Sequence, residues 1–504
     1  MSLRANILAS WIAHLVMIAI GFFMLPYVRN TLSPAAYGAW IFINMISGYA
    51  GLLYLGMGAT TCRYVAKHFA KAEWDELNRV SSTTFLIYTG MAGLVMLLAG
   101  GFCLVAPMIP QLGSLTLGEV RAVILINGLA TAIGMVGSVF GGILIGTQRV
   151  GLKRAIEVGS GILRFILAVT CLKLRPELTT LSLFFLVVTI LENLLLWLFA
   201  SRAVPELQIR RSLATRETAK ECFSFSGYTA VGQAAEQIIY LSDITVIGFA
   251  RGTSQVDIYN IGLRICQMIQ DPLAKIGEVL LPKAGYLHAH SKHSELATLV
   301  GRMAALTFVL IGGFFIGAMY FGGMLIRTWI GEGLEQSQRI LLILLAAQLV
   351  AQPMLILRKA MLGMGVVRVP ALIDISEAVL NLILSIVLVM FWGIEGVAWG
   401  TFIPLVFVEL LVFMPYACRQ VNLRKRDLFT QSILPCLVPL AALWTYCEVV
   451  ARQHYPDGWI TLFAVTGGGG IALLLAGAPM LWVMQRNRNQ PLPVTDFTAV
   501  GEAR

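Results

Sequence analysis

Apolar stretches of about 18 residues or more recur from one end of this 504-residue chain to the other. That is the length a helix needs to cross the hydrocarbon core of a bilayer. A backbone in hydrocarbon must satisfy its own hydrogen bonds, so such stretches become helices or a closed barrel. Here the runs are continuous rather than alternating, which excludes barrel strands. Composition agrees, with 58% hydrophobic and 13% charged residues, where a soluble domain carries roughly 25% charge. The expected fold class is an all-α polytopic membrane protein. The first run, Ile7 to Val28, is too long for the apolar segment of a cleavable signal and lacks a small-residue cleavage site, so it reads as the first span.

Fourteen spans are expected, near 7–28, 36–58, 80–106, 119–145, 156–173, 178–200, 224–250, 258–282, 298–321, 338–362, 368–391, 393–417, 428–449 and 457–485. The seventh and eighth carry the most polar residues. With the N-terminus cytoplasmic, 26 of the 37 Lys and Arg residues fall in inner loops and tails, eight in outer loops and three within spans. Short cytoplasmic loops accumulate positive charge, so both termini are expected inside. The inner set includes Arg63, Lys67, Lys71 and Arg79, expected in a basic loop after the second span. The net charge of +10 is spread over many short loops and forms no nucleic-acid patch.

The chain also repeats itself. A shift of 217 residues lays Gly146 to Glu157 on Gly363 to Asp374, Glu192 on Glu409, and the first span on the seventh. The expected organisation is an N-lobe at 1–205 (helices 1–6), a C-lobe at 206–420 (helices 7–12), and helices 13 and 14 with the tail at 421–504. A basic connection near 201–223 joins the lobes. Parallel repeats of this kind are a transporter architecture, with substrate bound between the halves.

Enzymatic chemistry finds little support. No P-loop, HExxH, GxSxG or Cys/His cluster occurs, and no loop exceeds about 25 residues. No metal site and no cofactor are expected. The eight cysteines lack metal-ligand spacing and read as small buried hydrophobes. Gly467–Gly470 lies inside the last span and reads as a close-packing surface.

Charges within spans carry the functional signal, because each costs roughly 2.5–3.5 kcal/mol at a helix centre. In the eighth span Arg264, Asp271, Lys275 and Glu278 fall within an arc of about 60° along about 21 Å, with Gln267 at the edge. Such a stripe cannot face lipid. Pro272 is expected to bend or break that helix. The seventh span adds Glu236 and Asp243, near Gln233, Gln237 and Tyr240. The eleventh adds Asp374, Glu377, Asn381 and Ser385, and the first lobe His14, Glu157, Arg164 and Glu192. Two readings stay open: these groups line a polar path, or they form ion pairs that hold helices together. On the first reading Asp271, Glu278, Glu236, Asp243, Asp374, Glu377, Arg164 and His14 are cavity-lining or coupling candidates. A cationic site suits an anionic ligand, since Arg grips phosphate through two parallel hydrogen bonds and Lys acts as a point charge. Adjacent carboxylates that take up a cation would release Arg or Lys, which motivates an expected coupling to an H+ or Na+ gradient. Histidine as a residue type changes charge near neutrality, which makes His14 a proton-carrying candidate.

Leu25-Pro26-Tyr27 ends the first span, and Leu32-Ser33-Pro34-Ala35-Ala36-Tyr37-Gly38-Ala39-Trp40 opens the second. Leu53-Tyr54-Leu55-Gly56-Met57-Gly58 and Arg63-Tyr64-Val65-Ala66 follow. In these segments, and in its fourteen spans and two-lobe repeat, the chain resembles the polysaccharide-exporter (O-antigen flippase) branch of the multidrug/oligosaccharidyl-lipid/polysaccharide superfamily. The resemblance implies a V-shaped pair of six-helix bundles working by alternating access in a bacterial inner membrane. It implies a lipid-linked oligosaccharide on undecaprenyl diphosphate as substrate, moved to the outer leaflet, with a polysaccharide polymerase or ligase as further partner. It also implies a cationic cavity, carried over to Arg264, Lys275 and Arg29, beside Gln267. Three alternatives remain: a multidrug or small-molecule antiporter of the same superfamily, which usually has twelve spans; a membrane-embedded polysaccharide-modifying enzyme, which needs a reactive centre; and a non-transporting scaffold, which has no use for a buried polar path.

Overall fold

The structure, a computed structural model, describes residues 3–52, 57–108, 115–453 and 458–486. Every regular element among them is helical: α1 Leu3–Leu32, α2 Pro34–Gly51, α3 Met57–Ala70, α4 Trp74–Val105, α5 Leu117–Gly146, α6 Val150–Leu174, α7 Leu178–Ala203 and α8 Arg216–Arg251, then α9 Thr253–Ala289, α10 His293–Trp329, α11 Glu335–Gly363, α12 Arg368–Phe407, α13 Met414–Gln420, α14 Lys425–Asp427, α15 Leu437–Ala451 and α16 Trp459–Arg486. Ten helical stretches are long and apolar enough to cross a membrane, namely α1, α4 to α7, α10, α11, Arg368–Gln420, Lys425–Ala451 and α16. One of them makes two passes: α12 folds back at Gly393 (φ 61°, ψ −143°), where Asn381 Nδ2 donates to Thr401 Oγ1 at 2.9 Å across the hairpin. A positive φ is the conformation glycine adopts without a Cβ clash, which is why the pass can reverse without a loop. α8 and α9, with 36 and 37 residues, are about 54 Å long, enough to cross a bilayer, and their charge keeps them out of that apolar set. With α2, all fourteen expected spans fall on helices.

Two details depart from expectation. The second span stops at Gly51, and Met57–Ala70 forms the separate helix α3, so Arg63 and Lys67 lie on a helix rather than in a loop. The cause is amphipathic spacing. Thr61, Val65 and His68 are buried three or four residues apart, while Arg63 and Lys67 point out. At the turn into α4, His68 Nδ1 meets Glu73 Oε2 at 2.7 Å, and that hydrogen bond holds the Glu73 carboxyl below the usual carboxylate range. The second departure is α9, which runs unbroken through Pro272 and Pro282. Each proline removes one backbone bond, a loss tolerated where α11 holds the helix along its length.

The chain forms two compact units, residues 1–257 and 258–504. In the first, α5 is central and packs on α2, α3, α4 and α7, while α1 pairs with α6. Its core joins Val65, Leu77, Tyr88, Met135, Ile143, Leu144 and Leu196. The repeat in the sequence breaks before α8, whereas the contacts break after it, because α8 packs on α2, α3 and α4. In the second unit α11 is central, between α10 and α12, with Leu280, Val300, Ile356, Leu357 and Phe413 in the core. A satellite cluster binds α15 and α16 to α10 through Ile316, Phe321, Leu440 and Leu443. There only the middle of the glycine run packs closely: a Cβ on Gly468 would lie 2.1 Å from Tyr446 Oη and one on Gly469 3.1 Å from Leu443, whereas Gly467 and Gly470 face open space. Of the seven described cysteines, Cys266, Cys418, Cys436 and Cys447 are buried, and Cys62, Cys103 and Cys171 only half so.

The connection after α7 is pinned rather than loose. Asn78 Nδ2 donates to the Glu206 carbonyl at 2.9 Å, and the Gln208 amide donates back to Asn78 Oδ1 at 2.9 Å. One helical turn on, Ser82 Oγ donates to the Gln208 carbonyl and accepts from the Arg210 amide. The Thr215 amide then donates to Thr83 Oγ1.

Candidate functional site

α9 carries two interleaved seven-residue rows. Cys266, Leu273, Leu280 and Leu287 are buried, while Arg264, Asp271 and Glu278 are exposed. The rows are offset by two residues, or about 200°, so they lie on opposite faces. The buried face is seated against α11 at unusually close range. A Cβ on Gly262 would lie 2.7 Å from the Ser337 carbonyl, and one on Gly285 would lie 2.8 Å from the Gly363 carbonyl. Ser337 Oγ also donates to the Ile258 carbonyl at 2.7 Å. Small residues thus draw the backbones together and turn the charged row outward.

On that outward face, Arg264 Nη1 donates to Gln267 Oε1 at 3.1 Å, and Lys275 Nζ donates to Glu278 Oε1 at 2.7 Å. Both pairs join residues three apart on one helix, so neither ties α9 to a neighbour. The Lys275 and Glu278 side chains are 40% and 53% accessible. Pairs this exposed are worth roughly 0–1 kcal/mol and exchange partners readily. The face therefore offers donors that an anion can recruit at small cost.

The other candidates are held differently. Arg29 on α1 donates from Nε to both carboxylate oxygens of Asp257, at 3.0 and 2.9 Å, with Asp257 almost completely buried. Asp257 gave no signal in the sequence, because it lies just outside an expected span. Arg164 reaches Glu192 at 2.8 Å and Thr189 at 3.2 Å, joining α6 to α7. Arg358 on α11 grips both Asp374 and Glu409 and stacks over Phe413 at 4.1 Å. Glu377, Asn381 and Ser385 are buried on the inner side of the α12 hairpin. Asp243 is buried on α8, and the Glu236 and Gln233 side chains lie outside the described residues. His14 is half-buried on α1, and its Nε2 has no partner among the described residues.

The 217-residue repeat explains two of these clusters at once. Asp374 and Glu409 correspond to Glu157 and Glu192, and Arg358 corresponds to Gly141. Lys153 of α6 fills the space over Gly141, 2.9 Å from where its Cβ would stand, and pairs with Glu157. Each unit thus neutralises the same pair of acidic positions with cations from different helices. The structure brings Arg264, Gln267, Asp271, Lys275 and Glu278 together on one open face. It assigns Arg29, Arg164 and Asp374 to interhelical ion pairs.

Comparison with known proteins agrees with this architecture. The model of the family described as polysaccharide biosynthesis protein matches residues 3–288. The membrane protein EpsK of Bacillus subtilis (strain 168) is 19% identical over 92% of this chain and 92% of its own. A Shigella flexneri protein provisionally named an O-antigen transporter is 20% identical over 77% of this chain and 91% of its own. Among solved structures, the lipid II flippase MurJ in an inward closed conformation superposes with a TM-score of 0.71 at 13% identity, covering 95% of this chain and 98% of that one.

Proposed function

The chain belongs to the polysaccharide biosynthesis protein family, and we propose that it is a flippase for a lipid-linked oligosaccharide or polysaccharide precursor carried on undecaprenyl diphosphate. On this reading it is a transporter rather than an enzyme. It resides in a bacterial inner membrane with both termini cytoplasmic, delivers precursor to the outer leaflet by alternating access, and hands it to a polymerase or ligase there. The observation that carries the proposal is the outward face of α9, where two cations are held only by weak pairs along their own helix.

The physical problem is desolvation. A charged, polyhydroxylated headgroup loses several kcal/mol per unpaired polar group in hydrocarbon, and far more per charge. A water-filled path lined by Arg264 and Lys275 replaces that lost hydration. Arg264 turns from Gln267 to offer the diphosphate two parallel N–H donors, and Lys275 leaves Glu278 to add a point charge. Asp271 and Glu278 then remain as carboxylates beside a bound anion, and taking up a cation there offsets the repulsion. This is the basis for proposing coupling to an H+ or Na+ gradient, with His14 a further proton site.

The test uses proteoliposomes holding a fluorescent polyprenyl-diphosphate oligosaccharide. Wild type should make inner-leaflet substrate accessible to an external glycosidase, and Arg264→Ala with Lys275→Ala should slow that at least tenfold at equal incorporation. No transfer by wild type under any imposed gradient would contradict the proposal.

A further inference from the structure

The outer end of the α12 hairpin carries a second kind of chemistry. Trp392, Glu395, Trp399 and Ile403 line an open cleft of about 580 Å³. Glu395, Trp399 and Ile403 recur every four residues and share one face of the second limb. Trp392 comes from the end of the first limb, brought in by the reversal at Gly393. Both indoles are accessible, Trp392 at 57% and Trp399 at 36%. Neither indole N–H donates to a described residue. Arg339 on α11 reaches Glu395 through Nε at 2.8 Å, which leaves its two terminal nitrogens and Glu395 Oε2 for other partners.

The charge balance narrows the ligand. Arg339 and Glu395 neutralise each other, so the cleft selects neither a phosphate nor a cation. Its lining supplies two aromatic side chains, two indole donors and a carboxylate acceptor, and Arg339 holds that carboxylate in place. That set matches a neutral ring with an apolar C–H face and a rim of hydroxyls. Small-ligand sites have this make-up, mostly apolar with a few polar groups that fix orientation. Tryptophan supplies both an apolar face and a polar handle. An interfacial aromatic belt accounts for the two tryptophans but not for the paired carboxylate of Glu395 between them.

We propose that this cleft is a carbohydrate subsite for one or two neutral pyranose units. The proposal rests on the flippase reading and extends it: the glycan is held at the outer end of α12, apart from the cations of α9 that serve the diphosphate.

The test takes the full chain in phosphatidylglycerol/phosphatidylethanolamine nanodiscs with 5-fluorotryptophan, the two resonances assigned from Trp392→Phe and Trp399→Phe. The probes are neutral tetrasaccharides of gluco, galacto, manno and N-acetylglucosamine type, with inorganic phosphate as control. At least one tetrasaccharide should shift both resonances saturably, and phosphate should not. Glu395→Gln, an isosteric change at a half-buried position, and Trp399→Ala, at an exposed one, should each weaken that binding at least tenfold. If no tetrasaccharide shifts either resonance while a headgroup-level nitroxide lipid broadens both, the cleft is a membrane belt and the proposal fails. If no tetrasaccharide shifts them and the nitroxide also has no effect, it fails as well. The function is read separately, by flipping of a lipid-linked monosaccharide. Flipping without tetrasaccharide binding sinks only the subsite, and binding without any flipping sinks the flippase reading.

Discussion

Arg358→Ala gives the most quantitative prediction. Arg358 is the ion-pair partner of both Asp374 and Glu409, and its own side chain is only 18% accessible, against 23% and 5% for the two acids. Removing one partner of a buried pair leaves uncompensated charge and costs about 3–5 kcal/mol. Lost stacking on Phe413 adds to this. At roughly 2 °C per kcal/mol for a unit of this size, the midpoint of thermal unfolding should fall by about 8 °C. The assay is fluorescence-detected size exclusion of detergent-purified protein after graded heating, at one fixed heating rate because such unfolding is irreversible. The triple replacement Arg358→Met, Asp374→Asn, Glu409→Gln removes the charges together and should recover most of the loss. A midpoint shift under about 2 °C for the single variant would refute the reasoning, as would a triple variant no better than the single.

Three further outcomes follow from the packing. Gly363→Ala puts a Cβ 2.3 Å from the Leu281 carbonyl and should force α9 off α11, seen as loss of monodisperse protein, whereas Gly365→Ala, with open space around it, should show only backbone strain. Replacing Asn78 and Ser82 by Ala frees the Gln208 and Arg210 amides; at about 1 kcal/mol per bond, their hydrogen exchange should speed roughly fivefold, with α5 and α11 unchanged. Glu73→Gln tests pH linkage. The folded carboxyl titrates below its ordinary value, so its contribution is present above that value and lost as pH falls through the lowered one. Wild type and Glu73→Gln should therefore differ in melting at pH 7 and converge once pH has fallen below the lowered titration of Glu73.

The span count was legible because hydrophobic length needs no partner to be read. The stripe on α9 was legible for a related reason: spacings of seven, four and three place four charges on one face whatever lies opposite. What the sequence withheld depends on neighbours. Nothing in Asp257 announces a buried pair with Arg29, since their 228-residue separation closes only in the fold. Asp374 and Glu377 shared a helical face with Asn381 and Ser385 in the sequence, yet that face turns into the α12 hairpin and toward Arg358. The connection after α7 reads as a basic loop, and only the buried polar turn from Asn78 to Thr84 shows why it is fixed. Trp392 and Trp399 went unremarked because tryptophan near a span end is ordinary. The residues that meet them, Arg339 and Glu395, are 56 positions apart.

The most direct measurement is the leaflet in which the lipid-linked oligosaccharide accumulates in cells lacking this protein, complemented by wild type or by Arg264→Ala at equal expression. Accumulation on the cytoplasmic face, relieved by wild type and not by Arg264→Ala, is the predicted result. Unchanged sidedness with altered chain length or sugar modification would contradict it and point to an enzyme.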